Sequence, residues 1–199
     1  MISQLRQQLA DKLRHMGCDA PGLEARELLC AALGISRRQL TLLPHDAPVD
    51  DAACRRLSDL LGQREQGKPL QYVLGEWDFY GRTFFCSEQA LIPRPETELL
   101  VEQALPVLRS RPGARVLDLG CGTGCIGLTL ALESPCTVTL ADLSEQALAL
   151  ARRNAERLCA KAEFLRLDML APPPEWWQWE LIALSHRGGH AGAGAGRAL

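Results

Sequence analysis

The sequence predicts an α/β fold: a parallel, Rossmann-like sheet, incomplete, preceded by a small N-terminal helical bundle and a β-hairpin linker. Three observations predict it. Apolar residues recur at helical spacing from Ile2 to Gly67, aromatic residues crowd between Pro69 and Ser87, and from Arg115 onward short apolar runs alternate with amphipathic stretches. A chain of 199 residues has room for one ordinary core and a small satellite domain.

In the bundle, Ile2, Leu5, Leu9, Leu13 and Met16 mark a first helix, with Ser3 near its start and Gly17 at its stop. Pro21 opens a second, carried by Leu23, Leu28, Leu29, Ala32 and Leu33 to Gly34. Ser36 caps a short third helix reaching Leu43, and Asp50 caps a fourth through Leu57, Leu60 and Leu61 to Gly67. These weakly apolar faces must close on one another. Tyr72, Trp77, Phe79, Tyr80, Phe84 and Phe85, interrupted at Gly81-Arg82, predict the hairpin. After Pro93 and Pro95, residues 96–108 have helical spacing and end before Pro112-Gly113.

The sheet is predicted next. Residues 115–119 form a strand, 120–124 a glycine loop and 126–132 the start of a helix. A second strand from Thr137 ends at Asp142, Ser144 caps a helix running to about Cys159, a third strand from Glu163 ends at Asp168, and 180–184 form a fourth. Strand–helix alternation implies parallel pairing with helices on the sheet faces, and ligands bind beyond the carboxyl ends of such strands. The loop, Asp142 and Asp168 all fall there.

Composition narrows the class. With 47% hydrophobic and 23% charged residues the chain is globular, and a net charge of -2 argues against a protein held to nucleic acid through phosphate contacts. No apolar run has the length of a membrane span, and the amphipathic start is unlike a leader, so a cytoplasmic protein is expected. The eight cysteines form no Cys-x-x-Cys pair and the histidines are not at ligand spacing from them. Reduced, half-buried thiols and no metal are expected.

Residues 116–127 read V-L-D-L-G-C-G-T-G-C-I-G, a literal G-x-G-x-x-G at Gly122, Gly124 and Gly127 that raises a dinucleotide reading. Asp118 argues against it, because a carboxylate at the loop mouth would face the pyrophosphate. S-adenosyl-L-methionine carries a sulfonium and an ammonium instead, which an acidic residue suits. Gly120, Cys121, Gly122, Thr123 and Gly124 would let the ligand approach main-chain amides. Asp142 is placed to accept hydrogen bonds from two ribose hydroxyls, and Asp168 from an adenine amino group with Met169 against the purine face. The plainer alternatives are helix-capping aspartates and a core methionine.

D-L-G-C-G-T-G at 118–124, with strands ending in Asp142 and Asp168, resembles class I methyltransferases. L-I-P-R-P-E-T-E (91–98) and Q-Y-V-L-G-E-W-D-F-Y-G-R-T-F-F (71–85) narrow this to a resemblance to peptide chain release factor N5-glutamine methyltransferases, extending over residues 1 to about 182. The resemblance implies S-adenosylmethionine as cofactor, release factors as protein substrate, and no direct nucleic-acid or membrane partner. It divides the chain into a release-factor-docking helical domain (1–70), a hairpin linker (71–92), a partial cofactor-binding domain (93–184) and a disordered, aberrant tail (185–199). Arg94 and Glu96 would lie near the active-site mouth, or pair to fix the linker. Arg37, Arg38, Arg55 and Arg56 are docking candidates, although a solvated helix face is the simpler account.

The family's fourth strand ends in Asn-Pro-Pro-Tyr, which it uses to bind the substrate glutamine. Here Trp179-Glu180-Leu181-Ile182 keeps to the family's pattern, but the substrate-binding motif is missing after Ile182, where residues 183–190 read A-L-S-H-R-G-G-H. No catalytic residue is identifiable, Ser185 and His186 being weak substitutes. The break at Ala183 is expected of C-terminal truncation or out-of-frame translation of a longer gene, which would leave the fourth strand at an exposed edge. Two alternatives stay open: a binding module without catalysis, and a nucleic-acid amino-methyltransferase.

Overall fold

The computed structural model describes residues 1–170 and 178–184. The chain divides into two compact units, Met1–Glu76 and Trp77–Leu199.

The first unit contains α1 (Ile2–His15), α2 (Pro21–Leu33), α3 (Arg37–Leu42), α4 (Asp51–Glu65) and α5 (Leu70–Leu74). The capping signals act as their chemistry dictates. Ser36 and Gln39 form a reciprocal capping box on α3, Asp50 accepts the Ala53 N–H at 2.6 Å on α4, and Gly34 ends α2 at φ 67°. Leu9, Leu13, Leu28, Leu29 and Leu57 supply the core, whereas Leu23, on the predicted apolar stripe, is exposed. Two of the arginines considered for docking have partners inside the unit. Arg37 pairs with Glu27 at 2.9 Å, and Arg56 Nε donates to the Ala32 carbonyl at 2.7 Å, at the end of α2. Helix α5 occupies the stretch where the sequence predicts the start of the hairpin, and Gly75 closes it at φ 75°.

The second unit begins with the hairpin, β1 (Glu76–Phe79) and β2 (Arg82–Phe85). Its turn is Tyr80-Gly81, one residue earlier than the aromatic pattern suggests, with consecutive positive φ of 48° and 72°. The Tyr80 N–H donates to Glu98 Oε1 at 2.7 Å, which holds this uncommon tyrosine backbone in place. Phe79 and Phe84 meet edge to face, ring centroids 6.0 Å apart, and carry the hairpin into the core of the unit.

Helix α6 (Pro95–Arg109) follows, then β3 (Arg115–Leu119), α7 (Cys125–Glu133), β4 (Thr137–Asp142), α8 (Glu145–Leu158), β5 (Glu163–Arg166) and β6 (Leu181–Leu184). The four strands of the sheet are parallel in the order β5-β4-β3-β6. Strand alternation sorts the side chains. Val116, Val138 and Leu140 enter the main core with residues of α6, α7 and α8, while Leu117, Leu119 and Ala141 form a second cluster with Leu167, Met169 and Trp179.

The break in sequence after Ile182 is not a break in the sheet. Ile182 lies opposite Leu117, and the parallel pairing continues past it, Ala183 opposite Asp118 and Leu184 opposite Leu119. Ladder bonds are made by the backbone, and Ala183 and Leu184 are apolar enough to extend a strand whatever motif they replace. Ile182 is 44% exposed, in keeping with the position of β6 at the edge of the described sheet. The tail expected at 185–199, with Ser185 and His186, lies outside the described residues.

Candidate functional site

From Leu119 the chain turns through Gly120-Cys121-Gly122-Thr123-Gly124 into α7, and the three glycines take φ of 70°, 54° and 78°. Side-chain-bearing residues would be strained there. The loop closes on its own sheet. The Gly120 and Cys121 N–H groups both donate to the Ala141 carbonyl, at 2.8 and 2.9 Å, and Gly124 donates to the Cys121 carbonyl at 2.7 Å. Gly122 donates to Asp142 Oδ2 at 3.0 Å, and Ser144 donates to Asp142 Oδ1 at 2.9 Å. Asp142 therefore joins the loop to the start of α8, which Ser144 caps by accepting the Ala147 N–H at 3.2 Å.

Beyond the carboxyl ends of β3 and β4 lies a cavity of about 660 Å³, within the ordinary range for a small-molecule site. One wall is the glycine loop with Cys125; the facing wall is the segment 88–94 with Thr97 and Leu100. Asp142, Ser144, Gln146, Ala147 and Met169 complete the lining. A Cβ on Gly122 would lie 3.6 Å from Ala90 Cβ, so a side chain at that glycine would reach the facing wall.

Of the residues singled out from sequence, Gly120, Cys121, Gly122, Thr123, Asp142 and Met169 line the cavity. Gly124 instead faces the core, where a Cβ would crowd Leu128, Leu140 and Ala151 at 3.1–3.3 Å. Asp168 stands just outside the lining, its Oδ1 accepting the Leu170 N–H at 2.9 Å. Ile182, the last residue before the missing motif, is not part of the lining either: it sits two residues short of the carboxyl end of β6, whereas the cavity opens beyond the strand ends. Asp118 departs most from expectation. Placed by alternation on the same face as Val116, it points under α7 rather than into the loop mouth, and it is 0% exposed. Its Oδ2 accepts the Gly127 N–H at 2.9 Å, while Oδ1 has no partner among the described residues. Burial, aided by the like charge of Asp142, pushes its carboxyl up to about 7, against the pull of the Gly127 N–H.

The same burial raises the loop thiols, Cys125 to about 12 and Cys121 further, so both stay protonated and serve as packing groups rather than nucleophiles. Arg94 lines the cavity and Glu96 does not; Glu98, which the sequence reading passed over, holds the hairpin turn. Asn154 was also passed over. It is a fully buried amide on the apolar stripe Ala147, Leu148, Ala151, Ala155 of α8, and a polar residue at that spacing is the signal that could have found it.

An anion-binding loop aims its amides outward at phosphate oxygens. In this loop Gly120 and Cys121 donate to a carbonyl and Gly122 to a carboxylate, an arrangement suited to a neutral or cationic ligand. Among the described residues no group of three or more His, Cys, Asp or Glu could hold a metal ion, and no helix is long and apolar enough to cross a membrane.

Residues 4–75 match the model of the PrmC N-terminal domain and residues 95–179 that of the methyltransferase small domain. The release factor glutamine methyltransferase of Nitratidesulfovibrio vulgaris is 46% identical over 153 residues, 75% of this chain and 51% of that one. Its counterpart in Chlorobaculum tepidum is 42% identical over 161 residues, 77% of this chain and 54% of that one. That of Koribacter versatilis is 38% identical over 183 residues, 89% of this chain and 65% of that one. Among solved structures, a Pyrococcus abyssi tRNA (uracil-54, C5)-methyltransferase in complex with S-adenosyl-L-homocysteine is 20% identical, covering 54% of this chain and 26% of that one, with a TM-score of 0.44. The chain spans about half the length of the first two relatives. On its two domain matches and these identities, the chain is similar to release factor glutamine methyltransferases over about half to two thirds of their length.

Proposed function

We propose that the second unit binds S-adenosyl-L-methionine in the cavity beside the glycine loop, and that the reaction it serves is methyl transfer to the side-chain amide nitrogen of a glutamine in a peptide chain release factor. The carrying observation is the loop's internal hydrogen bonding: amides a pyrophosphate would need are turned onto Ala141 and Asp142. When bound, the cofactor supplies an electrophilic methyl group on a sulfonium. Gly120 to Thr123 would form its bed, with Gly124 setting the turn behind them. Asp142, each oxygen of which keeps a second lone pair, would hold the ribose hydroxyls, and Met169 would lie against the purine. Asp168 has Oδ2 to offer an adenine amino group. Asp118 lies behind the loop and would act on the ligand only through it. Residues 1–70 of the helical unit would dock the release factor.

An amide nitrogen is a poor nucleophile because its lone pair is delocalised into the carbonyl, and acceptors for both its N–H groups would be needed to orient it. The sequence after Ile182 lacks Asn-Pro-Pro-Tyr, which favours a second reading: cofactor and release-factor binding without transfer. Calorimetric titration with S-adenosylmethionine and with NAD tests the first reading. We expect S-adenosylmethionine alone to bind; preference for NAD would refute it. Adding a release factor and labelled methyl donor separates the two readings, since capture of the release factor without label is the outcome expected of the second.

A further inference from the structure

We propose that Asn154 is a positioning residue that fixes the separation of the two cavity walls. Its side chain is 0% exposed on α8, on a stripe otherwise built of alanine and leucine. An amide in such a place is costly unless its donors and acceptor are all matched. They are matched on two different segments. Nδ2 donates to the Thr123 carbonyl at 2.9 Å and to the Phe85 carbonyl at 3.2 Å, and Oδ1 accepts the Phe85 N–H at 2.7 Å. The amide orientation follows from its partners, because two carbonyls must face the NH2 group and the one N–H must face the oxygen.

The two partners are the roots of the two walls. Phe85 ends β2, Cys86 behind it is buried, and the chain then runs directly into the lining segment 88–94. Thr123 sits between Gly122 and Gly124, whose positive φ values set the direction of its carbonyl. One side chain thus ties segments that are 69 and 31 residues distant from it to a single point on a rigid helix. The clamp itself is independent of what fills the cavity. Its consequence for cofactor affinity rests on the reading of the cavity as the S-adenosylmethionine site.

Asn154→Ala removes all three hydrogen bonds, and Asn154→Ser is the milder variant should the first fold poorly. Leu105→Ala, in the same core and outside the cavity lining, serves as a control for plain destabilisation. Amide hydrogen exchange on the whole chain should show residues 86–94 and 120–124 exchanging faster by on the order of tenfold in the Asn154 variants, with no such selectivity in the control. The dissociation constant for S-adenosylmethionine should rise by about tenfold or more. Uniform acceleration across the unit, as in the control, would overturn the clamp. Selective loosening with affinity unchanged from a wild type that binds would overturn the positioning role. Failure of the wild type to bind would strike the cofactor reading alone, since the exchange pattern still decides the clamp.

Discussion

Among the described residues the helical unit and the sheet unit each bury one carboxylate, and they treat it in opposite ways. Glu27, 6% exposed, is held by two cations, Arg26 Nη2 at 3.0 Å and Arg37 Nε at 2.9 Å. Asp118, 0% exposed, has one backbone N–H, an oxygen without a partner among the described residues, and the like charge of Asp142 acting on it. The first arrangement pins α2 to the start of α3 and serves the fold. The second costs the fold stability. Buried groups left in that condition cluster at functional sites, and this one lies directly behind the glycine loop.

The largest test of the contrast is pH. Folding raises Asp118 from 3.8 to about 7, so the folded state binds this proton more tightly than the unfolded chain does. The contribution of Asp118 to the stability of the sheet unit should therefore be greatest below about pH 4, fall as pH rises towards 7, and level off above that. Between about pH 5 and 8 the loss should be about 3 kcal/mol. All four tryptophans lie beyond Glu76, so their fluorescence in a denaturant titration reports the sheet unit selectively. Asp118→Asn keeps an acceptor for Gly127 and carries no charge. Its unfolding midpoint should be nearly flat over that range; a slope equal to the wild type's would assign the effect to other groups.

A smaller effect comes from the glycine that supplies the single N–H. A Cβ on Gly127 would meet Leu140 Cδ2 at 2.4 Å and both Asp118 Oδ2 and Val138 Cγ1 at 3.0 Å. In Gly127→Ala, α7 must back away from β3 and β4, at a cost of about 2 kcal/mol in the tryptophan-detected transition. Because the move lengthens the one hydrogen bond that lowers the Asp118 pKa, the pH-dependent decline should also extend to higher pH. Hydrogen exchange in α1 to α4 should not change.

The same contrast explains what could be seen from sequence. Helix ends were legible where one residue carries the signal, as at Ser36, Asp50 and Ser144, and the strand–loop–helix from Arg115 was legible from its glycines. Helix α5 was not, because five residues from Leu70 to Leu74 give too few apolar positions to show a period. Asp118 was read into the loop mouth, although its alternation with Val116 against Leu117 and Leu119 places it under α7. The change of pattern after Ile182 was legible as lost chemistry, while the strand runs on through it, because backbone pairing does not register which motif is absent. The roles of Glu98 and Asn154 depend on partners 18 and 69 residues away, which local pattern does not encode.

The smallest effect is expected at Glu27. Arg26 and Arg37 are 42% and 49% exposed at their side chains, so water screens the pairs and receives the guanidinium groups when the acid is removed. Glu27→Gln keeps a hydrogen-bond acceptor and loses the charge, and should destabilise the helical unit by about 1 kcal/mol, less at high salt. Circular dichroism and exchange in α1 to α4 would read it. The sign matters more than the size. At about pH 8 the same acid-to-amide change should weaken the helical unit at Glu27 and strengthen the sheet unit at Asp118. If both variants shift the same way, the two carboxylates are not built for opposite ends, and the unpaired oxygen of Asp118 has a partner within the folded protein.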